Sequence, residues 1–353
     1  MSWHAIAAVD DAVEATRRFL FPVSLIRWTV LALLVFLMSS VNTNVSLPIV
    51  PDADFTLFPE GVVPSSVVSG LDTGILVSVV LVFAGLGVLV SVATLTFRLV
   101  FYDALRTNQI RVWAPFVAHF RQAFGLFVFS FVIGLVLIAP LVIAITALTT
   151  VGWGPADAVG EVVTGLSGWI VGVLLFLGGL FTLLMVLGIR FTYEFVVPVM
   201  VHRDDGVIAA WSRFWPTLRE SWTEFLLYLV VHFFLGVGIS VAEGIVFLFV
   251  GGLVLVLGAV ALLIVAALLG GFSAVTGTTV GVAAIVFVVA IGLIALLLVF
   301  LPVRLVTRTY LITYELSVLG RVDPDLAMLD PSIDPSVDSS GDPDDATPAG
   351  PSR

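Results

Sequence analysis

The chain has 353 residues, of which 60% are hydrophobic and only 11% charged. A water-soluble domain is nearer half apolar and a quarter charged, so this excess excludes an ordinary soluble fold and calls for lipid as solvent. The formal net charge is −10, all fifteen basic residues are Arg, and there is no Cys, which excludes disulfides, thiolate metal sites and cysteine catalysis.

Asp outnumbers Glu 17 to 8, and eight Asp fall in the last 31 residues. The acidic balance therefore belongs to the tail and says little about the apolar part. Asp excess without Lys suits molar salt, where carboxylates hold their hydration. A GC-rich genome is the alternative source of that bias.

Residues 1–22 read as an N-terminal interfacial helix. Trp3, Ile6, Val13 and Leu20 are apolar, Asp10, Asp11, Glu14 and Arg17 polar, and Pro22 ends it. The early acids and the lack of a small-x-small site argue against a signal peptide, and Arg17 and Arg18 read as a membrane anchor. A first span is expected over about 24–41. An Arg-free, Pro-rich loop follows, with an Asn44-Val45-Ser46 sequon. A second span covers about 74–95 and continues as helix to Leu105.

Residues 106–124 form a first elbow, where Trp113, Phe116, Val117, Phe120 and Phe124 make one apolar stripe. A third span covers 126–148 and a fourth 169–189, with a second Arg-free loop between them. Gly168 and Gly172 form a GxxxG for helix packing. The central elbow, Arg190–Trp222, repeats the stripe with Trp211, Phe214, Trp215, Leu218 and Trp222. Asp205 is placed to cap its helix near Val207. Both elbows are preceded by an Arg, an aromatic and an acid: Arg98, Tyr102 and Asp103, then Arg190, Tyr193 and Glu194.

Residues 225–271 are too long for one crossing, at roughly 70 Å as a helix against a core of about 30 Å. They are expected to cross once, with 249–271 re-entrant around Gly251-Gly252. A short polar loop at 272–279 leads to a last span, 281–301, whose helix continues towards Leu319. Residues 322–353 read as a disordered acidic tail. Between the two ends, 23–321 form a transmembrane helical domain.

Fourteen of the fifteen Arg fall in four groups: 17, 18 and 27; 98, 106, 111 and 121; 190, 203, 213 and 219; 304, 308 and 321. The positive-inside rule places all four in the cytosol when the number of crossings is even. The expected fold is all-α, a polytopic transmembrane helical bundle with short amphipathic cytosolic elbow helices. Six spans with both termini inside are favoured, and seven is the alternative.

Candidate chemistry lies on span five, where Glu224, Tyr228, His232, Gly236 and Ser240 recur every four residues and Glu243 continues the stripe. Tyr228, His232, Ser240 and Glu243 would serve a proton or ion relay, since intramembrane ionisable groups are costly and often functional. A plain packing face is the stronger alternative. His232 and Glu243 would lie about 16 Å apart on one helix. On the elbow, Trp211, Trp215 and Trp222 are interfacial anchors, and Arg213 and Arg219 candidate contacts to anionic headgroups. No P-loop, HExxH or GxSxG is present, so no enzyme, metal site or cofactor is expected.

The segments RRFLFPVSLIRWTVLALLVFL, FYDALRTNQIRVWAPFVAHFRQAFGLFVF, FVVPVMVHRDDGVIAAWSRFWPTLRESWTEFLLYL and YLITYELSVLGRVDPDLAML resemble an uncharacterised membrane-protein family of halophilic archaea. That family is distantly similar to the membrane domain of glycerophosphodiester phosphodiesterases. The likeness spans about 16–329 and is strongest from Val197 to Trp222. It implies a multi-span helical domain. The phosphodiesterase barrel and its acidic residues are absent from this sequence. The expected function is a non-enzymatic membrane-organising or partner-supporting protein, and the alternative a secondary transporter or lipid-handling protein using span five. Membrane lipids, a membrane-protein partner or a second copy are the expected partners; nucleic acid is not.

Overall fold

The computed structural model describes residues 4–39, 73–148 and 168–339, and the regular elements among them are all helical. They are α1 (His4–Leu20), α2 (Leu25–Ser39), α3 (Thr73–Thr107), α4 (Trp113–Leu148) and α5 (Gly168–Phe191), then a π-turn (Thr192–Val196). After it come α6 (Val197–Arg203), α7 (Val207–Glu220), α8 (Trp222–Leu269), α9 (Phe272–Gly277) and α10 (Thr279–Val322). A 3₁₀ turn (Pro324–Leu326) and α11 (Pro335–Ser339) close the described chain. Among the described residues, five stretches are long and apolar enough to cross a membrane, beginning at Val77, Trp113, Phe176, Trp222 and Thr279, and Leu25–Met38 is a shorter apolar helix. The protein is an all-α helical membrane protein.

The packed core lies at one end. Buried residues come from α1, the middle of α2, the last turns of α3, the π-turn, α6, α7, the start of α8, the end of α10 and residues 326–333. This is the end that carries the arginines. Away from it the helices expose their apolar faces: none of the most apolar window of α10 is buried, and 6% of that of α8. Such surface is stable only against lipid or another apolar partner.

Residues 225–271 depart from expectation. They neither bend back nor turn at Gly251-Gly252; α8 is one unbroken helix of 48 residues. With no hairpin inside it, the seven-span alternative loses its basis. The turn falls at Gly270 and Gly271, with φ of 87° and 134°, where only glycine is unstrained. The returning α10 is antiparallel to α8. Thr307 Oγ1 donates to Glu243 Oε1 (2.6 Å), Phe247 meets Phe300, and Val254 lies against Gly292.

The tip of this hairpin carries a sharp prediction. Thr278 caps α10, accepting from the Gly281 N–H (3.1 Å). A Cβ on Gly281 would overlap the Val275 backbone. We expect Gly281→Ala to cost about 1–3 kcal/mol or more, because the clash is with main-chain atoms and not with the end of a side chain that could turn away. Thermal unfolding in detergent should show the loss, whereas Gly252→Ala, which meets nothing, should leave the melting temperature near wild type.

Other expectations are also corrected. The first elbow is not a separate helix, since Trp113–Phe124 are the opening turns of α4. Asp205 does not cap α7. Gly206 is its N-cap without a side-chain bond, and the Asp205 carboxylate instead takes Arg213 Nε at 2.7 Å. α1 buries the alanine face Ala5, Ala8, Ala12 and Ala15 and leaves Ile6 and Val13 exposed. Tyr314 OH donates to the Ala5 carbonyl, and Asp11 pairs with Arg321, so α1 is fastened along α10.

Residues 323–339 are folded, where a disordered tail was expected. Leu326, Met328 and Ile333 are buried, Thr217 Oγ1 donates to Asp323 (2.6 Å), and Arg203 donates to the Asp325 carbonyl (2.9 Å). Gly172 of the GxxxG faces open space among the described residues. The sequon, both Arg-free loops and the tail beyond Ser339 lie outside the described residues.

Candidate functional site

Where the apolar stretch of α3 ends, Arg98 and Tyr102 project one turn apart. Where α5 ends, the π-turn changes the local pitch; its Val197 N–H reaches back to the Thr192 carbonyl. An inserted turn of this kind re-aims side chains and is frequent at functional positions. Here Arg190 Nε donates to Glu194 Oε1 (2.8 Å), while Glu194 Oε2 accepts from Tyr228 OH of α8 (2.9 Å). Tyr228 also bonds His232 Nδ1 (2.8 Å) and stacks on Tyr314 of α10. Glu315 comes from α10 and accepts a long bond from Tyr102 OH (3.5 Å). Arg98 donates to the Tyr193 carbonyl (3.2 Å) and lies over the Tyr193 ring, whose hydroxyl meets Ser130 of α4 at 2.9 Å.

Five helical segments therefore converge on one polar cluster. Glu194 and Glu315 are buried at 8% and 5% exposure, so each charge must find its partner inside the protein. One ligand atom each from Glu194, His232 and Glu315 lies within 4.8 Å of the others.

The hydrogen bonds restrict the protons. The Tyr228 hydroxyl has one hydrogen for two contacts. If it goes to Glu194, His232 must donate from Nδ1, and the bare Nε2 faces Glu194 Oε1 at 3.8 Å. That arrangement leaves room for one proton shared between imidazole and carboxylates. Glu194 is served by Arg190 and Tyr228, whereas among the described residues Glu315 accepts only the long bond from Tyr102. Counting hydrogen bonds alone, Glu315 is the carboxyl that loses least by carrying a proton.

The same three residues offer metal-ligating atoms, but three guanidiniums surround them. Glu315 lies in the field of Arg98, Arg308 and Arg190 as well as Glu194. With both carboxylates ionised the local charge is already about +1, and a divalent ion would raise it further. We expect zinc or manganese to leave the thermal midpoint of the purified protein unchanged. A stabilisation lost in His232→Ala would contradict this charge argument.

Of the expected site residues, the fold brings Tyr228 and His232 into the cluster and leaves the others out. Ser240 is exposed, and Glu243 pairs with Thr307 well along the helix. On the elbow, Trp211 turns inward and donates from Nε1 to Thr192 Oγ1 (3.0 Å), while Arg213 holds Asp205. Trp215, Arg219 and Trp222 are exposed. Missing from the expected set were Glu194, Glu315, Arg98, Arg190, Arg308 and Tyr102. Two signals pointed to them: the repeated Arg–aromatic–acid pattern before each elbow, and Glu315 as the lone acid in the apolar run 310–319.

Buried, paired charges at the end of an otherwise apolar bundle define the class: a polytopic helical membrane protein with an internal ionisable cluster. The chain belongs to a family of unknown function, DUF7544, whose model matches residues 3–329. No curated protein and no solved structure matches it.

Proposed function

We propose that this protein is a secondary transporter whose transport cycle is linked to a proton carried by Glu315 and His232. The observation that carries the reading is the buried set Glu194–Tyr228–His232–Glu315, in which Tyr228 bonds both Glu194 and His232 and the three titratable groups lie within 4.8 Å of one another. Buried ionisable groups in membrane proteins are expensive to keep and tend to mark ion or proton pathways. The chain crosses the cell membrane six times in this reading, counting α2. The arginine-bearing end faces the cytosol, following the positive-inside rule. The Asp excess and the absence of Lys support a high-salt setting.

A trapped pH-sensitive dye in proteoliposomes tests the reading. A panel of small anions, cations and neutral solutes is added outside under an imposed pH gradient. At least one class should drive a dye response absent from empty vesicles; silence across the panel would count against proton-linked transport.

The second reading is a non-enzymatic membrane-organising or partner-supporting protein. The exposed Trp113, Trp215 and Trp222 favour it, at 78%, 57% and 58% exposure. Aromatic rings of this kind settle at headgroup level or enter a partner's groove. Crosslinking in cells separates the two, since a stoichiometric protein partner supports this reading and retained lipid alone does not.

A further inference from the structure

The geometry points to a binding site for a phosphate-type oxyanion, lined by Arg98, Arg190 and Arg308, at the arginine-bearing end of α3, α5 and α10. The inference goes beyond the proton reading, because it concerns binding and needs only the arginines.

Charge balance is the first argument. Three guanidiniums face two carboxyls, and Arg304 stands exposed one turn from Arg308. Arg98 and Arg190 reach Tyr193 and Glu194 of the π-turn, and Arg308 stands two turns before Glu315 on the same face of α10, so all three border the two carboxyls. With two carboxyls for three guanidiniums, a bound anion would offset the remaining positive charge of a part-buried site.

Unused donors are the second. A guanidinium offers five N–H groups in a planar fork suited to phosphate. Arg308 is half-buried, yet its side chain makes no hydrogen bond or ion pair among the described residues. Arg98 donates to one carbonyl, lies over one ring and meets the Tyr102 hydroxyl, which leaves part of its fork free. Arg190 uses Nε on Glu194 and keeps a third of its side chain accessible. By contrast, Arg106, Arg203 and Arg213 are tied to Val201, Asp325 and Asp205.

Position is the third. Each of the three residues follows the apolar stretch of its helix, where lipid phosphates lie in a bilayer. The phosphate could therefore belong to a lipid headgroup or to a free solute, and the same chemistry recognises both.

Binding is tested on the purified full chain in two settings. In nanodiscs of neutral lipid, inorganic phosphate is titrated against the thermal midpoint. In a second series, phosphatidic acid replaces part of the neutral lipid, and native mass spectrometry counts the copies retained. Arg308→Gln is the chief variant, because it removes no hydrogen bond within the protein. Arg219→Gln, on the exposed face of α7, is the control.

Stabilisation by inorganic phosphate, weakened about tenfold in affinity by Arg308→Gln but not by Arg219→Gln, supports the site with a soluble ligand. Retention of phosphatidic acid with the same dependence supports it with a lipid ligand. Wild-type protein that ignores both probes overturns the inference. So does binding that Arg308→Gln and Arg98→Gln leave unchanged in variants that melt like wild type.

Discussion

Glu315→Gln is expected to bring proton-linked flux down to the level of empty vesicles while leaving the protein folded. The amide keeps the shape of the carboxyl and can still accept from Tyr102 OH, which sits 3.5 Å away. In the proton-carrying form of Glu315 the amide replaces a neutral carboxyl, so no buried charge pair is broken and the fold should hold. What the change removes is the capacity to take up and release a proton. Infrared difference spectra give an independent readout, because a protonated carboxyl band present in wild type should vanish in the variant. Glu243→Gln should behave differently, since Glu243 meets Thr307 outside the cluster. Wild-type flux in Glu315→Gln would remove the proton reading. An equal loss in both variants would move the pathway to the whole face of α8.

Phe195→Ala should produce the largest loss of stability. Phe195 is wholly buried on the π-turn, stacked on Phe214 at 5.5 Å and edge-on to Phe225 at 5.1 Å and Tyr228 at 4.8 Å. Emptying that space should cost about 3–5 kcal/mol, the usual range for a buried ring cut to a methyl group. The damage should reach the cluster, because Tyr228 is held against Phe195 while it donates to Glu194. Phe195→Leu should recover most of the stability and part of the flux. Thermal melts read the first effect, and the flux assay reads the second. A Trp215→Ala control, on a side chain 57% exposed, should leave the melting temperature unchanged.

Apolar length, arginine placement and periodicity by themselves determined the class of this protein and the approximate limits of most helices. Those properties are local. A run of twenty or more apolar residues has to be helical in lipid, because its backbone groups find no other partners there. The helices expected from 74 to Leu105 and from 281 towards Leu319 accordingly match α3 and α10 closely.

The course of 225–271 was decided otherwise. Bilayer thickness argued for a bend back, but α8 is unbroken: its first turns lie in the packed arginine-bearing body and α10 runs beside it. Asp205 shows the same limit. Its spacing suited a cap, and the competing partner Arg213 lay eight residues away on the next helix.

The cluster itself is wholly tertiary. Tyr228 and His232 are legible as one face of one helix, but their partners stand 34 to 87 positions away. Glu194 reaches Tyr228 only because the π-turn re-aims it, and Glu315 arrives only because α10 returns antiparallel along α8. Periodicity reports which residues share a face. Which faces meet depends on how separate helices pack, and here that packing puts two acids, a histidine and three arginines in one buried place.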